Sequence, residues 1–152
     1  MASGFMQEHP LEQARRWFSQ ASADCDIAAR VFNEERYDLT LFLCQQSAEK
    51  AVKSLLIWYC GDFARTHVIK DLLGELRAAN APLTDRLAGL HALDAYYQSA
   101  RCPDALGGAV PAFTFQREES ELALQRVRKA ISIVGEVLTD AASGGSGLLR
   151  DS

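Results

Sequence analysis

The sequence lacks the features that mark membrane and secreted proteins. Its most apolar stretch, between residues 39 and 60, is interrupted by Glu49, Lys50 and Lys53, so it falls short of the roughly 20 apolar residues that span a bilayer. No secretion signal is recognisable, and the four cysteines show no C-x-x-C spacing. We therefore expect a cytoplasmic protein with reduced thiols and no membrane contact.

Motifs for metal and cofactor chemistry are also missing. The sequence contains no Gly-rich phosphate loop, no zinc ligand set and no E-x-x-H motif of carboxylate-bridged metal sites. We therefore predict neither a metal site nor a bound cofactor. The net charge of −4 argues against broad, sequence-independent binding of DNA, which relies on an extended basic surface. A small local basic site remains compatible with this charge.

The pattern that is present is helical. Apolar residues recur every three or four positions along nearly the whole chain. This periodicity predicts helices over about residues 10–33, 38–60, 66–80, 83–100 and 116–140. Asp38 is expected to cap the second helix and Gly61 to end it. Because short connections favour antiparallel neighbours, we predict an all-α fold: an antiparallel up-and-down four-helix bundle with an additional short helix.

The length indicates a single domain. With 152 residues and 48% hydrophobic content, the chain can bury its own core without disulfides or metal. We expect this domain to span residues 10–141. Residues 1–9 are expected to be a leader or disordered, and residues 142–152, which are rich in Gly and Ser, are expected to form a flexible tail.

Five polar side chains fall on one side of the second predicted helix. At about 100° per residue these side chains form one arc, here called the polar arc: Gln45, Gln46, Glu49, Lys50 and Lys53. On the first helix, Asp24 lies between Ala21 and Ala28 on the inner stripe, where an unpaired carboxylate is costly. It therefore needs either a cation, which Lys50 or Lys53 could supply, or several hydrogen-bond donors. The polar arc is either a buried network that sets the register of the bundle or part of a ligand site or subunit interface.

Four short motifs follow one another along the chain. They are W-x6-D-x3-A from Trp17 to Ala28, Y-x7-QQ-x2-EK-x2-K from Tyr37 to Lys53, T-H at Thr66 and His67, and Y-x3-R-x-P-D from Tyr97 to Asp104. With these motifs, the chain from about residue 11 to residue 140 resembles the HEPN domain (higher eukaryotes and prokaryotes nucleotide-binding). The resemblance is to the branch associated with small nucleotidyltransferases.

The resemblance implies both a fold and a set of partners. HEPN domains are helical bundles that often form homodimers and bind nucleotides or single-stranded RNA. Many act beside a small nucleotidyltransferase, in toxin–antitoxin-like pairs. Because this chain has no G-S-x-D-x-D signature, that partner would be a separately encoded polypeptide. The resemblance thus favours a nucleotide- or RNA-binding module that is not an enzyme by itself.

The resemblance also suggests site residues. Arg101, together with Lys53 or Lys50, would hold a phosphate, and Tyr97 would stack on a base. His67, at the start of the third helix, would lie near a bound anion. The supporting polar network would be Asp24, Gln45, Gln46 and Glu49. Two structural alternatives stay open: Arg101 caps helix carbonyls or pairs with Asp104 or Glu49, and His67 satisfies backbone groups.

The chain departs from the family in two places. The R-x4-6-H motif of HEPN ribonucleases has one literal match, Arg86 to His91, and this lies in the predicted fourth helix rather than the late helix where the motif belongs. Cys102 replaces the usual Tyr of the R-Y-P loop. A metal-independent endoribonuclease using Arg86 and His91, or Arg101 and His67, is therefore kept as an alternative, as is a non-catalytic protein-interaction module.

Overall fold

The computed structural model describes residues 8–144, which form helices and turns and contain no strand. Three long helices make up most of this part: α1 (Pro10–Asn33), α2 (Tyr37–Cys60) and α6 (Arg117–Gly144). Shorter helices lie between α2 and α6, namely α3 (Ile69–Ala79), α4 (Ala81–Arg86) and α5 (Tyr96–Ser99), with 3-10 segments at Leu90–Ala95, Pro103–Leu106 and Pro111–Phe113. The prediction of an all-α bundle is confirmed. None of these helices is long and apolar enough to cross a bilayer.

The predicted ends of the domain lie mostly outside the described residues. Of the predicted leader, the structure describes residues 8 and 9, and the His9 side chain accepts a hydrogen bond from the Leu11 amide at 3.1 Å at the start of α1. Of the predicted tail, residues 142–144 continue α6. The predicted domain limits therefore stay predictions.

Helices α1 and α2 form a tight antiparallel hairpin. Its turn uses Glu35 in the left-handed region, with φ of 63°. Small residues of α1 pack directly on α2, and the Ser47 hydroxyl donates to the Ala21 carbonyl at 2.7 Å. Asp38, the predicted cap, is instead the second residue of α2 and pairs with Arg36, the capping residue, at 3.1 Å. Gly61, with φ of 82°, ends α2 as predicted.

Helix α2 lies at the centre of the bundle. It packs against α1, α3 and α6, and 15 of its 24 residues are buried. Burial extends to the side that carries the polar arc, where Gln45 is 0% and Glu49 4% exposed. A helix enclosed on several sides has to pair its polar groups with other protein groups. Among residues 8–144, every buried side-chain nitrogen and oxygen has a hydrogen-bond partner.

The fourth helix is broken. The prediction of a continuous helix over 83–100 is wrong, because the chain leaves α4 after Arg86 and passes through Gly89 in the left-handed region, with φ of 90°. A 3-10 segment follows, and α5 begins only at Tyr96. Buried side chains are still spaced by three, which suits a 3-10 helix as well as an α-helix: Leu87, Leu90 and Leu93. The break places Tyr97 and Arg101 on a short, turned segment beside α2.

Candidate functional site

The polar arc of α2 is divided between two ion pairs. Lys50 Nζ lies 2.5 Å from Asp24 Oδ2, and Gln20 Nε2 donates to Asp24 Oδ1 at 2.9 Å. Of the two candidate lysines, Lys50 is the partner of Asp24. Lys53 Nζ lies 2.9 Å from Glu49 Oε2, one helical turn away on the same helix.

The Glu49–Lys53 pair is enclosed, with side-chain exposures of 5% and 8%. Gln45 Nε2 donates to Glu49 Oε1 at 3.3 Å and to the His67 carbonyl at 3.1 Å. The Lys53 ammonium lies 4.8 Å from the centre of the Phe63 ring. These contacts join α2 to the segment between α2 and α3. They support the interpretation of this part of the arc as a structural network.

The remaining predicted member of the arc, Gln46, has a minor part in this network. Its Nε2 donates to Gln45 Oε1 at 2.7 Å, which leaves both Gln45 amide hydrogens for Glu49 and the His67 carbonyl. Gln46 thereby orients the Gln45 amide.

Four side chains form the outer part of the same network: Phe42, His67, Tyr97 and Arg101, here called the Tyr97 cluster. The His67 and Tyr97 rings stack with centres 4.8 Å apart and 15° between their planes. The Arg101 guanidinium lies 4.5 Å from the centre of the Tyr97 ring and 4.8 Å from that of Phe42. Tyr97 thus links an exposed imidazole to an exposed guanidinium.

Arg101 has few competing partners. Its Nε donates to the Tyr97 carbonyl at 2.8 Å, so the alternative that it caps a helix carbonyl is confirmed. Pairing with Asp104 or Glu49 is not observed, and among residues 8–144 no carboxylate oxygen lies within 4.0 Å of its guanidinium. The rest of this planar donor set is therefore available to a ligand.

His67 joins the inner and outer parts of the network. Its Nδ1 lies 3.2 and 3.3 Å from the two Glu49 carboxylate oxygens, while the side chain as a whole remains 59% exposed. The ring's Nε2 makes no hydrogen bond to residues 8–144. A histidine held at one nitrogen by a carboxylate, with the other nitrogen free, can exchange a proton with a ligand.

The start of α3 does not provide the anion site that was expected near His67. The helix begins at Ile69, and its first free amides donate to Asp94: Ile69 N to Oδ1 at 2.7 Å and Lys70 N to Oδ2 at 3.0 Å. The Asp94 carboxylate therefore occupies the position that a bound anion would take. Sequence reasoning missed Asp94, because a cap supplied from 25 residues away leaves no local pattern.

A surface depression of about 440 Å³ adjoins the Tyr97 cluster. Its lining includes both ring residues of the stack, the capping carboxylate and a further cation that the sequence did not single out: His67, Tyr97, Asp94 and Arg65. The position of Arg65 depends on the loop before α3, so no spacing in the sequence identifies it. Its volume is within the range of sites that hold small molecules.

The other predicted site residues lie elsewhere. Lys50 lines a separate depression of about 250 Å³ with Arg16, Trp17 and Gln20. Arg86 pairs with Glu136 at 3.1 Å, and no hydrogen bond joins it to His91 within residues 8–144. The structure therefore brings Arg101, His67 and Tyr97 together with Glu49, Gln45 and Lys53, and it places Lys50, Arg86 and His91 apart from them. In the same described region, no three His, Cys, Asp or Glu side chains are grouped as a metal ion would require.

The fold and the ring-stacked cation define a helical-bundle protein with an exposed polar site, and comparisons with known proteins identify its family. The model of the HEPN domain matches residues 14–138. The chain is similar to TT1696 from Thermus thermophilus, with 32% identity, a TM-score of 0.70, and coverage of 82% of this chain and 97% of that one. It is also similar to ST0689, described as an archaeal HEPN homologue, with 27% identity, a TM-score of 0.65 and the same coverages. No curated protein matches the sequence.

This chain therefore belongs to the HEPN domain family. The family inferred from the four sequence motifs is confirmed. The residues matched by the family model include α2, the Tyr97 cluster and most of α6.

Proposed function

We propose that this protein is a HEPN module that binds a nucleotide or single-stranded RNA at the Tyr97 cluster. The observation that carries the proposal is the state of Arg101: its guanidinium is exposed, is held in place by the Tyr97 and Phe42 rings, and has no carboxylate within 4.0 Å among the described residues. A preoriented guanidinium without a counter-charge is suited to bidentate contact with a phosphate.

The surroundings of Arg101 support recognition of a base beside that phosphate. His67, stacked on Tyr97, presents its exposed ring at the edge of the 440 Å³ depression, and Arg65 adds a cation to its lining. Unpaired bases in single-stranded RNA are commonly held by such stacking. In this proposal Lys53 and Lys50 support the architecture, because each is already paired with a carboxylate, and Arg101, His67 and Arg65 contact the ligand.

The proposal extends to assembly. We propose that the module acts in the cytoplasm as a homodimer and with a separately encoded nucleotidyltransferase, as in toxin–antitoxin-like pairs. Family membership supports this, and symmetric dimers are the common assembly of small soluble domains. Light scattering at micromolar concentration tests the dimer, and a monomer under those conditions contradicts it.

The binding proposal is tested by titrating the purified protein with ATP, GTP and a short single-stranded RNA. Arg101→Ala should weaken binding by about 10- to 100-fold, the loss expected for a charge-assisted hydrogen bond to phosphate. Arg117→Ala is a matched control, because Arg117 also stacks on an aromatic ring, with its guanidinium 4.8 Å from the centre of Phe32, but lies outside the cluster. Equal affinity of wild type and Arg101→Ala would contradict the assignment.

A second candidate function is metal-independent RNA cleavage at the same cluster. The observation that favours it is the contact between His67 and Glu49, which orients the ring and leaves Nε2 free. His67 would then move the proton of the ribose 2′-hydroxyl or of the leaving oxygen, and Arg101 would stabilise the charge on the phosphorane. With saturating RNA and a chelator present, cleavage should be lost in His67→Ala and kept in His91→Ala. Cleavage that persists in His67→Ala excludes this mechanism.

A further inference from the structure

Two neighbouring depressions outside the Tyr97 cluster are lined by cations. One, of about 110 Å³, is lined by Arg86, Arg126 and Lys129 above an aliphatic floor. The other, of about 330 Å³, is lined by the cations Lys70 and Arg77 and by His91. Ala88 lines both, so the two depressions are contiguous. We call this combined surface, formed by α3, α4, α6 and the turn at Gly89, the basic groove.

The charge of the basic groove contrasts with that of the whole chain. Together with the depression beside the Tyr97 cluster, it is lined by six of the 16 Lys and Arg residues but by one of the 20 Asp and Glu residues, Asp94. Asp94 is already engaged by two backbone amides. An acidic protein that gathers its cations along one path has a local attraction for a polyanion despite its net charge.

Most of the cations of the basic groove are free to contact a ligand. Arg86 and Arg77 pair with Glu136 and Asp85, but both pairs are exposed at the rim and such pairs are weak. Among residues 8–144, no carboxylate oxygen lies within 4.0 Å of the charged groups of the other three basic residues: Lys70, Arg126 and Lys129. Neutralisation of these groups by phosphates would release bound counterions and favour binding.

The basic groove adjoins the depression beside the Tyr97 cluster. Asp94 lines that depression, and its carboxylate accepts a hydrogen bond at 3.0 Å from the amide of Lys70, which lines the groove. A ligand that extends from the depression past Asp94 therefore reaches the cations of the groove. A compartment of about 110 Å³ is well below the size of a drug-like ligand site and suits a single charged group.

We propose that the basic groove binds successive phosphates of a single-stranded RNA whose first phosphate is held by Arg101. This proposal rests on the proposed function and names its ligand class: an oligonucleotide rather than a mononucleotide. A single strand fits better than a duplex, because the path begins at a stacking site that accepts an unpaired base. Arg86 and His91 then contribute to RNA affinity from adjacent compartments of the groove.

The test compares a trinucleotide and a dodecanucleotide of the same base, titrated by fluorescence anisotropy at several salt concentrations. The test variant is Arg126→Gln/Lys129→Gln, with Lys129→Gln as a milder second variant because Lys129 is exposed whereas Arg126 is half-buried. The matched control is Arg15→Gln/Arg30→Gln, which removes the same charge from exposed positions of α1. Melting curves establish that all variants are folded.

We expect the dodecanucleotide to bind more tightly than the trinucleotide in wild type and in the control. The double variant should lose on the order of tenfold in affinity for the dodecanucleotide and nothing for the trinucleotide. The slope of log affinity against log salt should fall by about 1.4, because each single-strand phosphate contact contributes about 0.7.

Equal affinities for the trinucleotide and the dodecanucleotide, or equal losses of affinity in the test and control variants, would overturn the proposal that the basic groove binds RNA. In either case, trinucleotide binding that is lost in Arg101→Ala would leave the proposed function standing. Absence of binding to both RNAs would overturn the groove, and the proposed function would fall with it only if ATP and GTP also fail to bind. Binding of polyglutamate in place of RNA would assign the groove to an acidic protein partner and would also overturn the inference.

Discussion

Lys53 and Arg101 both place a cation over aromatic rings, at opposite ends of one network. Lys53 lies over Phe63 and Trp17, is 6% exposed, and has the Glu49 carboxylate 2.9 Å away. Arg101 lies over Tyr97 and Phe42 but is exposed, and no carboxylate among residues 8–144 lies within 4.0 Å of its guanidinium. Both cations lie over aromatic rings, but of the two only Lys53 has a carboxylate partner among the described residues.

This difference separates a structural cation from one that is available for binding. The Lys53 charge was desolvated on folding and is neutralised inside the protein, so its role is complete without a ligand. The Arg101 charge keeps its solvent, and the rings fix its position without neutralising it. Loss of the Lys53 charge should therefore mainly lower stability, whereas loss of the Arg101 charge should mainly lower ligand affinity.

The largest effect is expected from Lys53→Met. Methionine keeps the apolar stem but removes the ammonium, so Glu49 remains buried with Gln45 and His67 as its partners. Breaking a buried pair in this way should lower the free energy of unfolding by about 3–5 kcal/mol. Urea denaturation followed by circular dichroism measures the loss.

The double variant Glu49→Gln/Lys53→Met is the control for that prediction. It removes both charges, so it should recover much of the stability that Lys53→Met loses. A double variant as unstable as the sum of its two single variants would show that the two side chains act independently.

A smaller effect is expected from Lys50→Met. The Lys50–Asp24 pair is less enclosed than the Glu49–Lys53 pair, with side-chain exposures of 24% and 13%, and Gln20 continues to donate to Asp24 after the change. Water can also solvate the remaining carboxylate. The free energy of unfolding should fall by about 1 kcal/mol. A loss as large as that of Lys53→Met in the same denaturation assay would contradict the ranking by burial.

The polar arc also shows how far sequence reasoning reaches. Helical periodicity predicted α1 with its observed bounds and predicted Gly61 as the end of α2. It also predicted that Asp24 needs a cation or several donors, with Lys50 or Lys53 as the candidate cations. The i, i+4 spacing of Glu49 and Lys53 can be read from the sequence, but the burial of their ion pair cannot, because it depends on how the segment at Phe63 and His67 folds back over α2.

The same limit explains the errors in the fourth helix and the candidate site. Gly89 was overlooked because a glycine in a periodic stretch is compatible with an uninterrupted helix, while the spacing by three of the buried leucines fits both helix types. Asp94 and Arg65 reach the site through tertiary contacts that have no periodic signature. The family motifs identified Arg101, His67 and Tyr97, but their stacking is visible only in three dimensions.

Arg101→Ala tests the second of the two cations. An exposed cation over aromatic rings contributes roughly 0.5–1 kcal/mol to stability, so the free energy of unfolding should fall by no more than about 1 kcal/mol. Ligand affinity should fall by an order of magnitude or more, because the contact with the phosphate is lost. Urea denaturation and RNA titration of the same preparation measure both quantities. A loss of stability as large as that of Lys53→Met would assign Arg101 to the structural part of the network.

The smallest effect is expected at Cys44, whose thiol is buried and uncharged. Cys44 lies on α2 next to Gln45, and burial, with a further contribution from Cys25, raises the pKa of its thiol well above the ordinary value. Below about pH 8 the thiol is protonated in the folded and unfolded states, so it adds no pH dependence. Above that pH the unfolded chain loses the proton and the folded protein keeps it, which lowers stability as the pH rises.

Cys44→Ala isolates this effect. The variant is less stable than wild type near neutral pH, because it leaves the space of the sulfur empty. Its stability deficit should narrow between about pH 8 and about pH 10, since only wild type has the Cys44 thiol to ionise on unfolding in that range. Urea denaturation at both pH values gives the two differences. A deficit that stays constant or widens would mean that the Cys44 thiolate is solvated in the folded protein, and the interior of α2 would then accept an unpaired charge, contrary to the role assigned to the Glu49–Lys53 pair.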